Sequence, residues 1–281
     1  MMEKSKLSAK SLLKQLSYKK HKKNKKTVQI GKINICKDDF DIENLDFENS
    51  FNSSFIAKSE KLTKSELIQR EIGFENLKKL LDNISSCQIS DALAKTCGRN
   101  GVIGGIKSIN NKIAYGRIVT VKTSSDDWGT SLFGINKAEK GNILFIETYG
   151  ESSAIWGELT SSSSYEKELA GTVIWGASRD IDYIIRSDYP VFAREIVPNA
   201  GNALGLGEVN VTLKIGEGGK HTIKPGDFIF GDESGVVHVP QELFTKVMLK
   251  TLEIKMSELH IISEIKKGKS LSEIVELHNQ D

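Results

Sequence analysis

The stretch Gly171-Thr-Val-Ile-Trp-Gly-Ala-Ser-Arg-Asp-Ile-Asp182 constrains the fold more than any other part of the chain. Thr172 to Trp175 is a short apolar run between glycines and rich in β-branched residues, the pattern of a strand buried on both faces. The run is expected to break at Gly176 and to deliver an adjacent cation and anion, Arg179 and Asp180. Open α/β folds place ligands where buried strands leave the sheet, because backbone groups and side chains converge there on a crevice. Twenty residues, 159–178, separate that pair from a loop bearing another carboxylate, Trp156-Gly-Glu-Leu-Thr160. Residues 161–170 between them read as a helix leading into the strand. Loop, helix, strand and loop can bring Glu158 beside Arg179 and Asp180. An ordinary surface ion pair between Arg179 and Asp180, worth little energetically, is the competing reading.

A hard oxygen donor such as Asp180 suits Mg²⁺ or Mn²⁺, which keep open positions for a chelating substrate when held by one or two carboxylates. A small 2-oxo acid offers a carboxylate oxygen and a keto oxygen at chelating distance. Arg179 can fork onto that carboxylate in a way the point charge of lysine cannot. With the keto group polarised, cleaving the C3–C4 bond or losing a β-carboxylate leaves an enolate whose charge needs the cation and the arginine. Glu158 would orient or deprotonate a water that shuttles the proton.

Several ordered blocks, Gly157-Glu158, Arg179-Asp180, Pro190-Val-Phe192, Lys224-Pro-Gly-Asp227 and Gly231-Asp-Glu-Ser-Gly-Val-Val237, resemble the RraA-like family. That family includes metal-dependent 4-hydroxy-4-methyl-2-oxoglutarate (pyruvate) aldolases and the regulator of ribonuclease E activity. The resemblance runs from about Ile84 to about Gly268. It implies an α/β sandwich around a mixed, barrel-like β-sheet core, assembled as a homotrimer or homohexamer with sites between subunits. By the same resemblance Arg179 and Asp180 bind the pyruvyl oxyanion and the metal, Glu158 holds a water, and Gly157 and the backbone amides near Leu159 and Thr160 contact substrate. An acid from a neighbouring subunit completes the aldolase sites, a role that Glu253 or Glu258 could fill. The family carries aspartate where this chain has Glu158, and an acid often stands where this chain has Tyr183, with Asp182 one place earlier. The implied activities are a lyase releasing pyruvate from a 4-hydroxy-2-oxo acid or decarboxylating oxaloacetate. The alternatives are a non-catalytic regulator that inhibits a protein partner such as a ribonuclease, and a tailoring enzyme using enolate chemistry on another acid.

Charge divides the chain. Residues 1–26 hold ten lysines against one acid, whereas Asp38 to Glu48 holds six acids and no base. The basic segment could contact nucleic acid, an anionic membrane surface or an acidic partner, but no aromatic stacking platform accompanies it, so a solvated tail is the stronger reading. Residues 1–60 are accordingly read as an extension and 61–281 as the RraA-like domain. Nothing approaches a membrane-spanning apolar run, and the amino terminus lacks the apolar core of a secretory signal. Three cysteines, Cys36, Cys87 and Cys97, fit reduced thiols and a cytoplasmic location better than a disulfide framework. Five scattered histidines exclude an imidazole zinc site, and no GxSxG elbow is present.

Elsewhere the pattern places a helix opening on Ser90 and Asp91 as cap and first-turn acid, and strands at 112–123, 142–147 and 209–215. It also places a helix at 132–138, a hairpin around Gly231 to Gly235, and a long helix at 242–267 closed by Gly268. Asp126 and Asp127 read as solvated loop acids, and Asp232 as an Asx turn former.

Overall fold

The computed structural model describes residues 28–30, 33–35, 78–149 and 153–275. The lysine-rich and acidic segments therefore lie outside the described residues; between them is a small antiparallel pair, β1 (Val28–Ile30) with β2 (Ile33–Ile35). The chain divides into two compact units. One runs from Ile84 to Glu258, and residues 259–275 belong to the other.

The larger unit is built on a mixed sheet. Its strands are β3 (Lys107–Ser108), β4 (Ala114–Ser124), β5 (Ile143–Tyr149), β6 (Ala154–Trp156), β7 (Gly171–Ser178), β8 (Val191–Ile196), β9 (Glu208–Val209), β12 (Phe228–Asp232) and β13 (Gly235–Val239). A separate ribbon pairs β10 (Leu213–Ile215) with β11 (His221–Ile223). The order is β13-β12-β4-β5-β7-β8-β3, with β6 on β7 and β9 on β4. The central strands β4, β5, β7 and β8 are parallel, whereas β12, β13, β3 and β9 pair antiparallel. Ile103 donates to Val236 O and His238 to Gly101 O, so the segment leading into β3 lies along β13 and nearly closes the sheet into a barrel.

Alternation along the central parallel strands places their apolar residues on two faces, in different cores. Ile143 and Phe145 of β5 join Val173, Phe192, Ile229 and Val236 in one. Leu144 and Ile146 join Ile174 and Val191 in the other, where helices cover the sheet. Those helices include α2 (Gly129–Lys137) and α4 (Ile181–Arg186), which contribute Ile135 and Ile184. Further helices are α1 (Ser86–Cys97), α3 (Glu158–Glu166), α5 (Phe244–Lys266) and α6 (Leu271–Ile274).

Several expectations shift. Strand β7 does not end at Gly176 but continues to Ser178, because this glycine serves close packing: a Cβ there would lie 2.2 Å from Thr148 Oγ1. Helix α1 is capped by Ser85 with Gln88 in a capping box, which places Ser90 and Asp91 mid-helix. The expected strand 209–215 divides in two at Asn210, whose φ of 61° is left-handed, so β9 pairs with β4 while β10 turns to β11. Helix α3 starts at Glu158 rather than 161 and stops at Glu166. The hairpin and the helix end at Gly268, with φ of 92°, stand as read.

Candidate functional site

The carboxyl ends of β6 and β7 lie side by side. The Arg179 amide donates to Trp156 O at 2.9 Å, and the buried Trp156 indole donates to Ser161 Oγ at 2.9 Å, which fixes the loop at Gly157 beside the loop at Arg179. Gly157 begins α3. Having no side chain to cap with, it is served by Thr160, whose buried hydroxyl accepts the Gly157 N–H at 3.0 Å and reaches Gly157 O at 3.0 Å.

The backbone of Glu158 meets the side chains of Arg179 and Asp180 there, while the Glu158 side chain lies on the surface. The Glu158 amide donates to Asp180 Oδ2 at 3.0 Å, and Arg179 Nε donates to the same oxygen at 3.3 Å. Asp180 holds φ 55° and ψ 43°, left-handed values that Asp tolerates better than most L-residues. It precedes the first turn of α4. A Cβ on Gly157 would lie 2.4 Å from Asp180 Oδ2 and 3.0 Å from Arg179 Cγ, so a larger residue would force the carboxylate to shift from this position. The Arg179 and Asp180 side chains are 40% and 32% exposed, and Glu158 and Leu159 lie on the surface, so in a single chain the crevice is open.

The donor set bears on a metal. Asp180 Oδ2 receives both hydrogen bonds, leaving Oδ1 as a hard oxygen donor that Arg179 approaches at 3.2 Å without hydrogen bonding. Among the described residues no group of three or more His, Cys, Asp and Glu converges to hold a metal. That set fits a largely water-ligated Mg²⁺ or Mn²⁺ on one or two carboxylates and does not fit zinc.

Other acids are engaged elsewhere. Asp182 pairs with Arg186 at 2.8 Å, Glu253 with Lys250 at 2.7 Å, and Glu258 accepts from Gln88. Asp232 forms the Asx turn with Ser234 and also accepts from the Ser86 amide and hydroxyl at the start of α1. The expectation of solvated acids fails at Asp127, which is 2% exposed. Its carboxylate accepts from Thr123, from the Thr130 amide and hydroxyl, and from the amides of Leu204, Gly205 and Leu206. Burial pushes its pKa up, but the bonds from Thr130, Gly205, Leu206 and Thr123 outweigh that and hold it well below the usual carboxylate range. Asp126 stays exposed, as read. Sequence reasoning also missed Ser162, whose Oγ lies 2.6 Å from the Tyr183 hydroxyl.

A nearly closed mixed sheet, with a glycine-glutamate turn and an Arg-Asp pair at the carboxyl ends of its parallel strands, defines an α/β protein with a carboxylate-arginine crevice. A family model described as RraA-like, Aldolase/RraA, matches residues 86–238. The chain belongs to this family. It is similar to an uncharacterized protein of Methanocaldococcus jannaschii, 36% identical over 70% of this chain and 93% of that one. A protein of Halalkalibacterium halodurans, provisionally named 4-hydroxy-4-methyl-2-oxoglutarate aldolase, is 32% identical over 58% of this chain and 75% of its own length. Protein DlpA of Legionella pneumophila is 30% identical, but the 79% of this chain that aligns spans 37% of it. Among solved structures, an uncharacterized protein of Pseudomonas syringae superposes with a TM-score of 0.60 at 29% identity, over 70% of this chain and 96% of that one. The family includes proteins named as aldolases and RraA regulators. Among the described residues no helix is long and apolar enough to cross a membrane.

Proposed function

We propose that the chain is a divalent-metal-dependent carbon-carbon lyase that releases pyruvate from a 4-hydroxy-2-oxo acid, or decarboxylates oxaloacetate, at Glu158, Arg179 and Asp180. One observation carries the reading: Gly157 is stripped of a side chain where the Asp180 carboxylate and the Arg179 stem press against it. The glycine lets the Glu158 amide and the Arg179 Nε converge on one carboxylate oxygen, which suits a preset anionic ligand better than a free surface ion pair.

Asp180, with Glu158 beside it, would hold Mg²⁺ or Mn²⁺, and the cation would supply polarisation of the substrate keto group. Arg179 spends Nε on Asp180, which leaves its two terminal nitrogens to fork onto the substrate carboxylate. The amides of Leu159 and Thr160, in the first turn of α3, have no acceptor within the helix and can meet an anionic oxygen. The C3–C4 bond breaks toward C3, and the C4 hydroxyl proton leaves as the new carbonyl forms. Glu158 handles that proton through water and returns one to C3 as pyruvate forms. The guanidinium of Arg179 sits where negative charge develops on the pyruvyl oxygen. A second copy of the chain would close the open crevice, as a homotrimer or homohexamer.

Pyruvate release from 4-hydroxy-4-methyl-2-oxoglutarate and from oxaloacetate, with and without Mg²⁺, tests the proposal. Metal-dependent turnover abolished by Asp180→Ala is expected; metal-independent release, or full activity in the variant, refutes it. A regulator that binds a partner without turnover is the second reading, favoured by the openness of the crevice. Retention of a partner by the full chain together with no turnover of any 2-oxo acid would decide for it.

A further inference from the structure

We infer that Tyr183 is a positioning residue, whose hydroxyl, joined to Ser162, fixes the helix presenting Glu158 against the helix that Asp180 precedes. The inference rests on the lyase reading and adds two residues to it. Helix α3 is tied to the sheet by the Trp156 indole on Ser161 Oγ, but by little to the loop that carries Asp180. Its cap is a glycine, and residues 161–164 are four serines, which compete with the helical backbone for hydrogen bonds. Among the described residues the exposed Glu158 amide donates the hydrogen bond that ties α3 to Asp180.

One turn further along, Ser162 Oγ and Tyr183 Oη lie 2.6 Å apart and part-buried. Among the described residues this is the side-chain to side-chain hydrogen bond that joins α3 to α4. Tyr183 is itself held at both ends. Its amide donates to Asp180 O at 3.1 Å, and its ring packs against the core under the helices. The hydroxyl therefore projects from a fixed base and reports the position of Asp180 directly to α3. Asp182, the neighbouring acid, turns to Arg186 and takes no part. Tyr183 touches neither the reacting atoms nor the metal in this role. It sets the spacing between the two carboxylates through the helices that carry them.

The test compares wild type, Tyr183→Phe, Ser162→Ala and the double variant. Tyr183→Phe keeps the ring and its packing, so folding is preserved and is checked by thermal melting. Each single change is expected to lower kcat roughly ten- to a hundredfold, as a misplacement of order 1 Å does. The KM for the 2-oxo acid should change less than kcat, since Arg179 lies outside α3. The double variant should be no worse than the singles, and Ser162→Thr should retain activity. Unchanged kcat in Tyr183→Phe, or losses that multiply in the double variant, would overturn the inference. Mn²⁺ affinity by calorimetry is measured in parallel, with a severalfold weakening in each single variant expected. If wild type releases no pyruvate the lyase reading fails, and the Mn²⁺ titration decides alone: equal affinity in all four proteins, or no binding by wild type, overturns the positioning role.

Discussion

Gly157→Ala is the sharpest perturbation of the candidate site. The backbone does not resist it: φ at this position is −172°, extended geometry that any residue adopts. The obstacle is the Asp180 carboxylate, 2.4 Å from the new Cβ. Restoring an ordinary contact of about 3.4 Å displaces that carboxylate by about 1 Å. Asp180 is partly exposed and can swing outward, so the fold should lose little beyond the Glu158 N–H bond, about 1 kcal/mol. For a unit of this size that is a fall in Tm of roughly 2–4 °C. Activity should suffer far more. A 1 Å misplacement costs about a hundredfold in kcat/KM, or about 2.7 kcal/mol of transition-state stabilisation. Coupled detection of pyruvate with Mg²⁺ present measures kcat/KM, and thermal melting measures the stability. Gly104→Ala, where a Cβ meets nothing within 4 Å, is the control and should be silent in both. Wild-type kcat/KM in Gly157→Ala would refute the assignment, as would a loss of activity matched by collapse of the fold.

Two further predictions concern acids wholly or partly withdrawn from solvent. Asp127 has a folded-state pKa below its unfolded value of about 3.9, so its contribution is complete above that value and lost as pH falls toward the folded one. Asp127→Asn should cost about 3 kcal/mol or more at pH 7, because an amide cannot accept from so many donors, and should flatten the acid side of a pH series of urea melts; an unchanged series would reject this. Glu147 shows the opposite sign: burial, partly offset by Lys122, raises its pKa, and its Oε2 is buried without a hydrogen-bond partner. Stability should therefore fall as pH rises from the unfolded value of about 4.3 through the raised one. Glu147→Gln should remove that fall and be at least as stable at pH 7, and a less stable variant would contradict the account.

Much of this architecture is legible from residues whose local signal agrees with their surroundings. The apolar run Thr172 to Trp175, the hairpin around Gly231 to Gly235 and the stop at Gly268 are local patterns, and the structure keeps them. That the loops at Gly157-Glu158 and Arg179-Asp180 are neighbours was legible because strand periodicity and loop length allow it, and the blocks resembling the family favoured a site there over a surface ion pair. Asp127 was not, because its neighbour Asp126 has the same local context. Only Leu204, Gly205 and Leu206, remote in sequence, decide which of the two is enclosed. Gly176 misled for a related reason, since its lack of a side chain answers Thr148 on the next strand rather than a chain break. The division of 209–215 turned on one left-handed residue, Asn210, which alternation of apolar and polar positions does not reveal. Ser162 was hidden in a run of four identical residues, where only the facing tyrosine singles it out.

The strand order carries a kinetic consequence. Residues 114–117 of β4 find their edge partner in residues 228–231 of β12, which a ribosome delivers only after the whole parallel core has been made. Until then β4 has an open edge, and pairing so remote in sequence is slow to form because a long loop must be closed first. A nascent chain of this design stays prone to intermolecular pairing until late in synthesis. Truncation anywhere before β12 should therefore give an insoluble product rather than a smaller folded one.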